Sequence, residues 1–154
     1  LSTNSSVLTT QDSLISTKIQ IMALSKARAI VEEANSKNFD ERNITQGFTS
    51  TGSLGRDSGE EYPQPGYDDF DDFASYGSDV PSDSIQGIPF NVDVNISYVN
   101  FSSGGNISNS TSPTNHKRMI VRVTSPFLTN PMKISASNPS GQDTVSLVSY
   151  YSYW

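Results

Sequence analysis

The densest chemistry in the chain lies between residues 57 and 79, DSGEEYPQPGYDDFDDFASYGSD. With Asp83 just beyond, this stretch carries nine acids, no base and five aromatic rings. Asp68, Asp69, Asp71 and Asp72 put four carboxylates into five positions. Three chemistries compete for them. In the first, Phe70 and Phe73 pin a solvated loop to the body while the aspartates stay wet and complement a basic partner surface. Acids at the start of a short helical turn would also gain from its exposed N–H groups. In the second, Asp69, Asp71 and Asp72 hold calcium together with backbone carbonyls, since hard oxygen ligands suit that ion. The stretch lacks the ligand spacing of an EF-hand loop. In the third, two carboxylates work as the acid and base of glycoside hydrolysis, but nothing else in the sequence suggests a substrate cleft.

The remaining reactive residue types are few. There is no cysteine, which removes disulfides, thiolate metal sites and cysteine nucleophiles together. A serine-histidine-aspartate triad would have to use the sole histidine, His116, which is expected at the surface where a loop enters a strand. The net charge of −6 argues against nucleic acid as a partner. Lys117, Arg118 and Arg122 form a weak basic patch at most. The glycines of SSGGN lead into no helix and read as a turn. Tyr150, Tyr151, Tyr153 and Trp154 either form a carbohydrate-stacking face or alternate between core and sheet surface. Glycosylation sequons begin at Asn4, Asn43, Asn95, Asn100, Asn106 and Asn109, as expected by chance in a chain rich in Asn, Ser and Thr. The segment 102–115 is the most credible place for modification.

These residues must be positioned by a modest core, because only 34% of the 154 residues are hydrophobic, which suits one domain. Ile15, Ile19, Met22, Ala23, Ala27, Ile30, Val31 and Ala34 recur at steps of three and four. They predict an amphipathic helix over 11–37 with Gln11, Lys18, Lys26 and Glu33 toward water. Residues 40–88 read as a long connection anchored by Ile44, Phe48, Leu54, Tyr62, Tyr67, Phe70, Phe73 and Tyr76. The period then becomes two. FNVDVNISYVNF alternates Phe90, Val92, Val94, Ile96 and Tyr98 against polar residues, and HKRMIVRVTSPF sets Met119, Val121 and Val123 opposite Arg118, Ile120 and Arg122, with Pro126 closing the strand. MKISAS predicts a short third strand and TVSLVSYYSYW a last one. One helix followed by antiparallel strands gives α+β.

The order of these elements resembles type IV pilin and pseudopilin subunits. LSKARAIVEEANSKNFDE is similar to the helix end of the minor pilins of the mannose-sensitive haemagglutinin pilus type, the MshD-like group, through Glu32, Glu33, Lys37, Phe39, Asp40 and Glu41. GSLGRDSGEEYPQPGYDDFDDFASY resembles the acidic loop of that group through Gly59, Glu60, Asp68 or Asp69, Asp71 and Asp72, with Phe73 where Tyr is usual, and PFNVDVNISYVN, HKRMIVRVTSP and SYYSYW resemble its strands. The departures are the inserted YPQPGY and the polar segment 102–115. The resemblance implies one domain: a long N-terminal amphipathic helix (1–39) packed on a three- to four-stranded antiparallel sheet (89–154), joined by an αβ-loop (40–88). The chain starts at Leu1 rather than Met, and no run of about 18 apolar residues is present, so the membrane-embedded half of such a helix would precede it.

By the same resemblance the chain is a non-enzymatic structural subunit of a pilus-like filament at the cell surface, with an inner-membrane pool before assembly. Its partners are other pilin subunits and the assembly machinery, not nucleic acid, and it meets the membrane only through the missing helix. Leu14, Ile15, Ile19 and Met22 would form the subunit interface. A secretion-system pseudopilin and a free extracellular adhesion module using the C-terminal aromatics are the alternatives.

Overall fold

The computed structural model describes residues 2–41, 47–60 and 66–154, with side chains from Ser13 onward, Pro131 excepted. The expected anchors Ile44 and Tyr62 lie outside the described residues. Helix α1 (Ser2–Asn35) is followed by a 3-10 helix (Asp71–Ser75) and a short α2 (Tyr76–Asp79). Five strands complete the fold: β1 (Asp83–Ile85), β2 (Ile88–Phe101), β3 (Ile107–Asn109), β4 (His116–Thr129) and β5 (Gln142–Ser152). All pairings between strands are antiparallel, in the order β1-β2-β4-β5, with β3 on the far end of β2.

The period-two alternation decides which side of each long strand faces α1. Phe90, Val92, Val94, Ile96 and Tyr98 of β2 are buried, as are Lys117, Met119, Val121 and Val123 of β4, while Asn91, Asp93 and Asn95 face water. Onto this side α1 presents Ile19, Ala23, Ala27, Ile30, Val31 and Ala34. The alanines are fully buried and let the helix lie close to the sheet. Phe70, Phe73, Tyr76 and Tyr67 close one flank of the same core.

The expected fold of one long amphipathic helix on a three- to four-stranded sheet, joined by an unstructured αβ-loop, is corrected in three respects. Among the described side chains of α1, close packing on the sheet is confined to the short stretch from Ile19 to Ala34, because Leu14 and Ile15 stand exposed at 65% and 58%. The sheet has five strands. The stretch MKISAS is a 3-10 helix over Pro131–Lys133 followed by an isolated Ser135–Asn138 bridge, whereas β1 and β3, both inside expected loops, are strands. The connection 40–88 also contains helical structure, including a second α-helix. There β1 turns into β2 through Gln86 and Gly87, both at positive φ, as a tight two-residue hairpin requires. Pro126 does not end β4, which continues to Thr129 past a register shift between Thr124 and Thr129.

Lys26, expected in water, is buried, and its Nζ lies 2.6 Å from Asp83 Oδ2, tying α1 to β1. That hydrogen bond holds the Asp83 carboxyl below its ordinary range. On the same flank α2 lies against β2 so closely that a Cβ on Gly77 would sit 2.7 Å from the Val92 carbonyl oxygen. Backbone cannot yield as a side chain does, so Gly77→Ala is expected to destabilise the fold by about 1–3 kcal/mol. Urea unfolding measures this, and a variant as stable as the parent would contradict the packing.

Candidate functional site: a buried lysine among carboxylates

Inward positions of β4 are apolar except at Ser125 and at Lys117, whose side chain is completely buried at one end of the core. An ammonium cannot be left there without opposite charge and hydrogen bonds. Its Nζ donates to Asp71 Oδ1, to Asp40 Oδ2 at 3.1 Å and to the Phe39 carbonyl at 2.5 Å. The rings of Phe39 and Tyr98 flank it, with centroids 4.4 and 5.4 Å from Nζ. Asp40 lies just beyond the end of α1 and Asp71 opens the 3-10 helix, so one lysine gathers two distant segments onto the sheet.

Each carboxylate has further work. Asp40 accepts the Thr49 N–H at 3.0 Å, and the Tyr98 hydroxyl lies 3.2 Å from Asp40 Oδ2 and 2.9 Å from the Thr49 carbonyl oxygen, which share its one proton. Asp69 Oδ1 accepts the N–H groups of Asp71 and Asp72, and its Oδ2 that of Glu41. Asp72 Oδ2 reaches back to the N–H groups of Asp68 and Asp69. Asp69 and Asp72 therefore form a reciprocal capping box at the start of the 3-10 helix, in which each side chain satisfies the other's backbone. The segments around them zip together as Phe70 N–H donates to Asn38 O at 2.8 Å.

The sequence places these aspartates in water, and the structure places three of them inside. Asp69, Asp71 and Asp72 are 2%, 1% and 3% exposed, and only Asp68 is exposed. Nor do Asp69, Asp71 and Asp72 converge as a calcium cradle, since Asp71 turns to Lys117. Among the described residues, the carboxylates that do converge are Asp40 with Glu41 and Asp69, and Glu60 with Asp68 and Asp72. Phe70 and Phe73 are fully buried anchors. Strand parity was the available signal for Lys117, because it shares a face with Met119 and Val121.

Burial is the largest influence on three of these acids. It pushes Asp69 up to about 9, helped by a proton shared with Glu41 and by the charges of Asp71 and Asp72. Glu41 is held low by the same hydrogen bond. Asp72 rises to about 7 through burial, against the pull of its N–H donors. Asp71 is also raised by burial, which outweighs the opposing charge of Lys117.

The other expected site residues are scattered. Ile19 is buried in the core, Met22 is half-buried against it, and Leu14 and Ile15 are exposed. His116 Nδ1 lies 2.8 Å from Ser152 Oγ and its ring packs on Phe101, so its partner is a serine hydroxyl rather than a carboxylate. Tyr151 and Tyr153 pack against Phe39, while Tyr150 and Trp154 face out. Comparisons with protein-family models, curated proteins and solved structures find no match.

Lys117→Met strands Asp40 and Asp71 without their cation and is expected to cost about 3–5 kcal/mol of stability, read by urea unfolding. A loss below 1 kcal/mol, roughly the value of an exposed pair, would show the cluster to be solvated. The pH dependence has a definite sign. Carboxyls whose folded values are raised hold protons more tightly folded than unfolded, so their contribution is present below the ordinary carboxylate range. It is lost as pH rises through about 7 for Asp72 and about 9 for Asp69. The urea midpoint should fall across that window, and Asp72→Asn should remove the lower part of the fall. A midpoint that rises there would refute the assignment.

Proposed function

We propose that this chain is a structural subunit of a type IV pilin-like filament, a minor pilin, and that it assembles through α1. The observation carrying this reading is a second apolar stripe on that helix. Leu14, Ile21 and Leu24 are 65%, 59% and 41% exposed, and Thr17 lies between them, at the helical steps that align one face. The core-facing stripe, from Ile19 through Ala34, is separate from it. Between the outer stripe and β5 runs a groove of about 270 Å³ lined by Thr17, Gln20, Ile21, Leu24, Asp143 and Val145. The occupant in this reading is the corresponding helix of a neighbouring subunit, whose ridge of side chains enters the groove. Complete burial of one such side chain contributes about 1.5–3 kcal/mol, so a few shared contacts repeated along a filament suffice to hold it.

Ile21 and Leu24 take over the interface role expected of Ile19 and Met22, which serve the subunit's own core. No helix among the described residues is long and apolar enough to cross a membrane. The subunit then resides in an extracellular pilus, and its partners are other pilin subunits and the assembly machinery. No catalytic step belongs to this role. Ile21→Asp with Leu24→Asp, introduced into the full-length protein in its native host, is expected to abolish recovery in sheared surface filaments. The purified chain should keep its stability to within about 0.5 kcal/mol, as exposed substitutions do. Undiminished recovery in filaments would refute assembly through this stripe.

A second reading, an extracellular binding module, is favoured by an aromatic corner on the sheet face away from α1. Phe101, Tyr150 and Trp154 are 45%, 42% and 99% exposed, and His116 lies between Phe101 and Trp154. Sugar rings stack on such surfaces. Titration with neutral oligosaccharides should then shift Trp154 fluorescence in the parent and leave Tyr150→Ala unresponsive, and a silent parent would remove this reading.

A further inference from the structure

We propose that Lys117 and Asp71 are joined by an intramolecular amide bond, formed within the folded protein with Asp40 as the proton carrier. The bond is independent of the assembly reading. It rests on the juxtaposition of an amine, an electrophilic carboxyl and a second carboxylate in a site closed to water. Lys117 Nζ touches Asp71 Oδ1 and lies 3.1 Å from Asp40 Oδ2, and the three side chains are between 0% and 2% exposed. The rings of Phe39 and Tyr98 cover the amine. A desolvated lysine is an effective nucleophile, and a dry site protects the product from hydrolysis.

The two aspartates are not equivalent. Asp40 accepts the Thr49 N–H at 3.0 Å as well as Lys117, and hydrogen bonds of this kind favour a carboxylate. Besides Lys117, Asp71 accepts a long 3.4 Å bond from the Gly55 N–H. With one ammonium facing two buried carboxyls, Asp71 is the one that takes up a proton, in keeping with the upward push of burial. The starting state is therefore Lys117 ammonium, Asp40 carboxylate and Asp71 carboxylic acid.

Asp40 removes one proton from the ammonium, and the freed Nζ lone pair attacks Asp71 Cγ. The Phe39 carbonyl accepts a hydrogen bond from Nζ and orients it. In the tetrahedral adduct the nitrogen gives up a second proton, by way of Asp40, to the departing hydroxyl. The Cγ–O bond breaks, the Cγ–N bond remains and water leaves. Asp40 ends protonated and the amide is neutral, so charge and atoms balance with no outside reagent. The product ties β4 covalently to the 3-10 helix, across 46 residues of chain.

Intact mass spectrometry of the purified protein, denatured just before measurement, tests the bond. The expected mass is one water below that of the sequence, and digestion should yield one branched peptide joining Lys117 to Asp71. The full sequence mass, or a water loss mapped elsewhere, overturns the proposal. Asp71→Asn is expected to lose ammonia instead and to reach the same final mass as the parent. Asp71→Asn that keeps its full mass while the parent is dehydrated overturns Asp71 as the electrophile. Asp40→Asn should leave the chain uncrosslinked, and a crosslinked Asp40→Asn protein overturns the role of Asp40. If Asp40→Asn does not fold, the masses of the parent and of Asp71→Asn alone decide whether the bond forms.

Discussion

A single buried lysine organises one end of this molecule. Lys117 occupies a position on β4 where its neighbours on the same face are apolar, and it reaches no water. Charge in such a place is tolerated only with opposite charge and directed hydrogen bonds. Asp40, Asp71 and the Phe39 carbonyl supply its three acceptors. The requirement is stringent because apolar packing accepts many arrangements, whereas an ammonium accepts few. The path of the chain after α1 and the path of the acidic segment are both set by where this amine must be satisfied.

The other polar contacts act in support. The reciprocal bonds of Asp69 and Asp72 shape the short helical segment that presents Asp71, and Asp69 also holds the Glu41 N–H beside Asp40. Phe70 and Phe73, on either side of the Asp71–Asp72 pair, enter the core and make the segment part of the body. At the far end of the same connection Lys26 fastens β1 to α1. A connection composed mostly of polar residues is thus ordered through a small number of buried ionic and aromatic anchors. That economy suits a chain with a limited supply of large apolar side chains.

The two sides of α1 divide their work. One stripe is spent on the sheet, and the other, from Leu14 to Leu24, lies beside β5 and has no comparable cover among the described residues. The sheet face away from α1 is mostly polar on β2 but carries Val148, Tyr150 and Phe101 near one end. The surfaces available for contact are therefore distinct from the polar cluster, which lies inside and serves the integrity of the fold. The exposed apolar surfaces and the buried charges are separated in space.

Much of the sheet was legible in the residues. Alternation from Phe90 to Tyr98 and from Met119 to Val123 specifies strands and their inner faces, because a pleated strand buried on one side allows no other pattern. The helical period of α1 was legible too, but a one-stripe reading merged residues that belong to two faces, which is why Ile21 and Leu24 were overlooked. The strands β1 and β3 are three residues each and owe their existence to the edge of β2, so no local pattern announces them. The acidic motif shows the limit most clearly. Its composition alone determined that carboxylates and rings would be concentrated in one segment. Whether those carboxylates would be wet or buried depended on an amine 46 residues away in the chain. The energy of a charge depends on its surroundings, and only the tertiary structure supplies those.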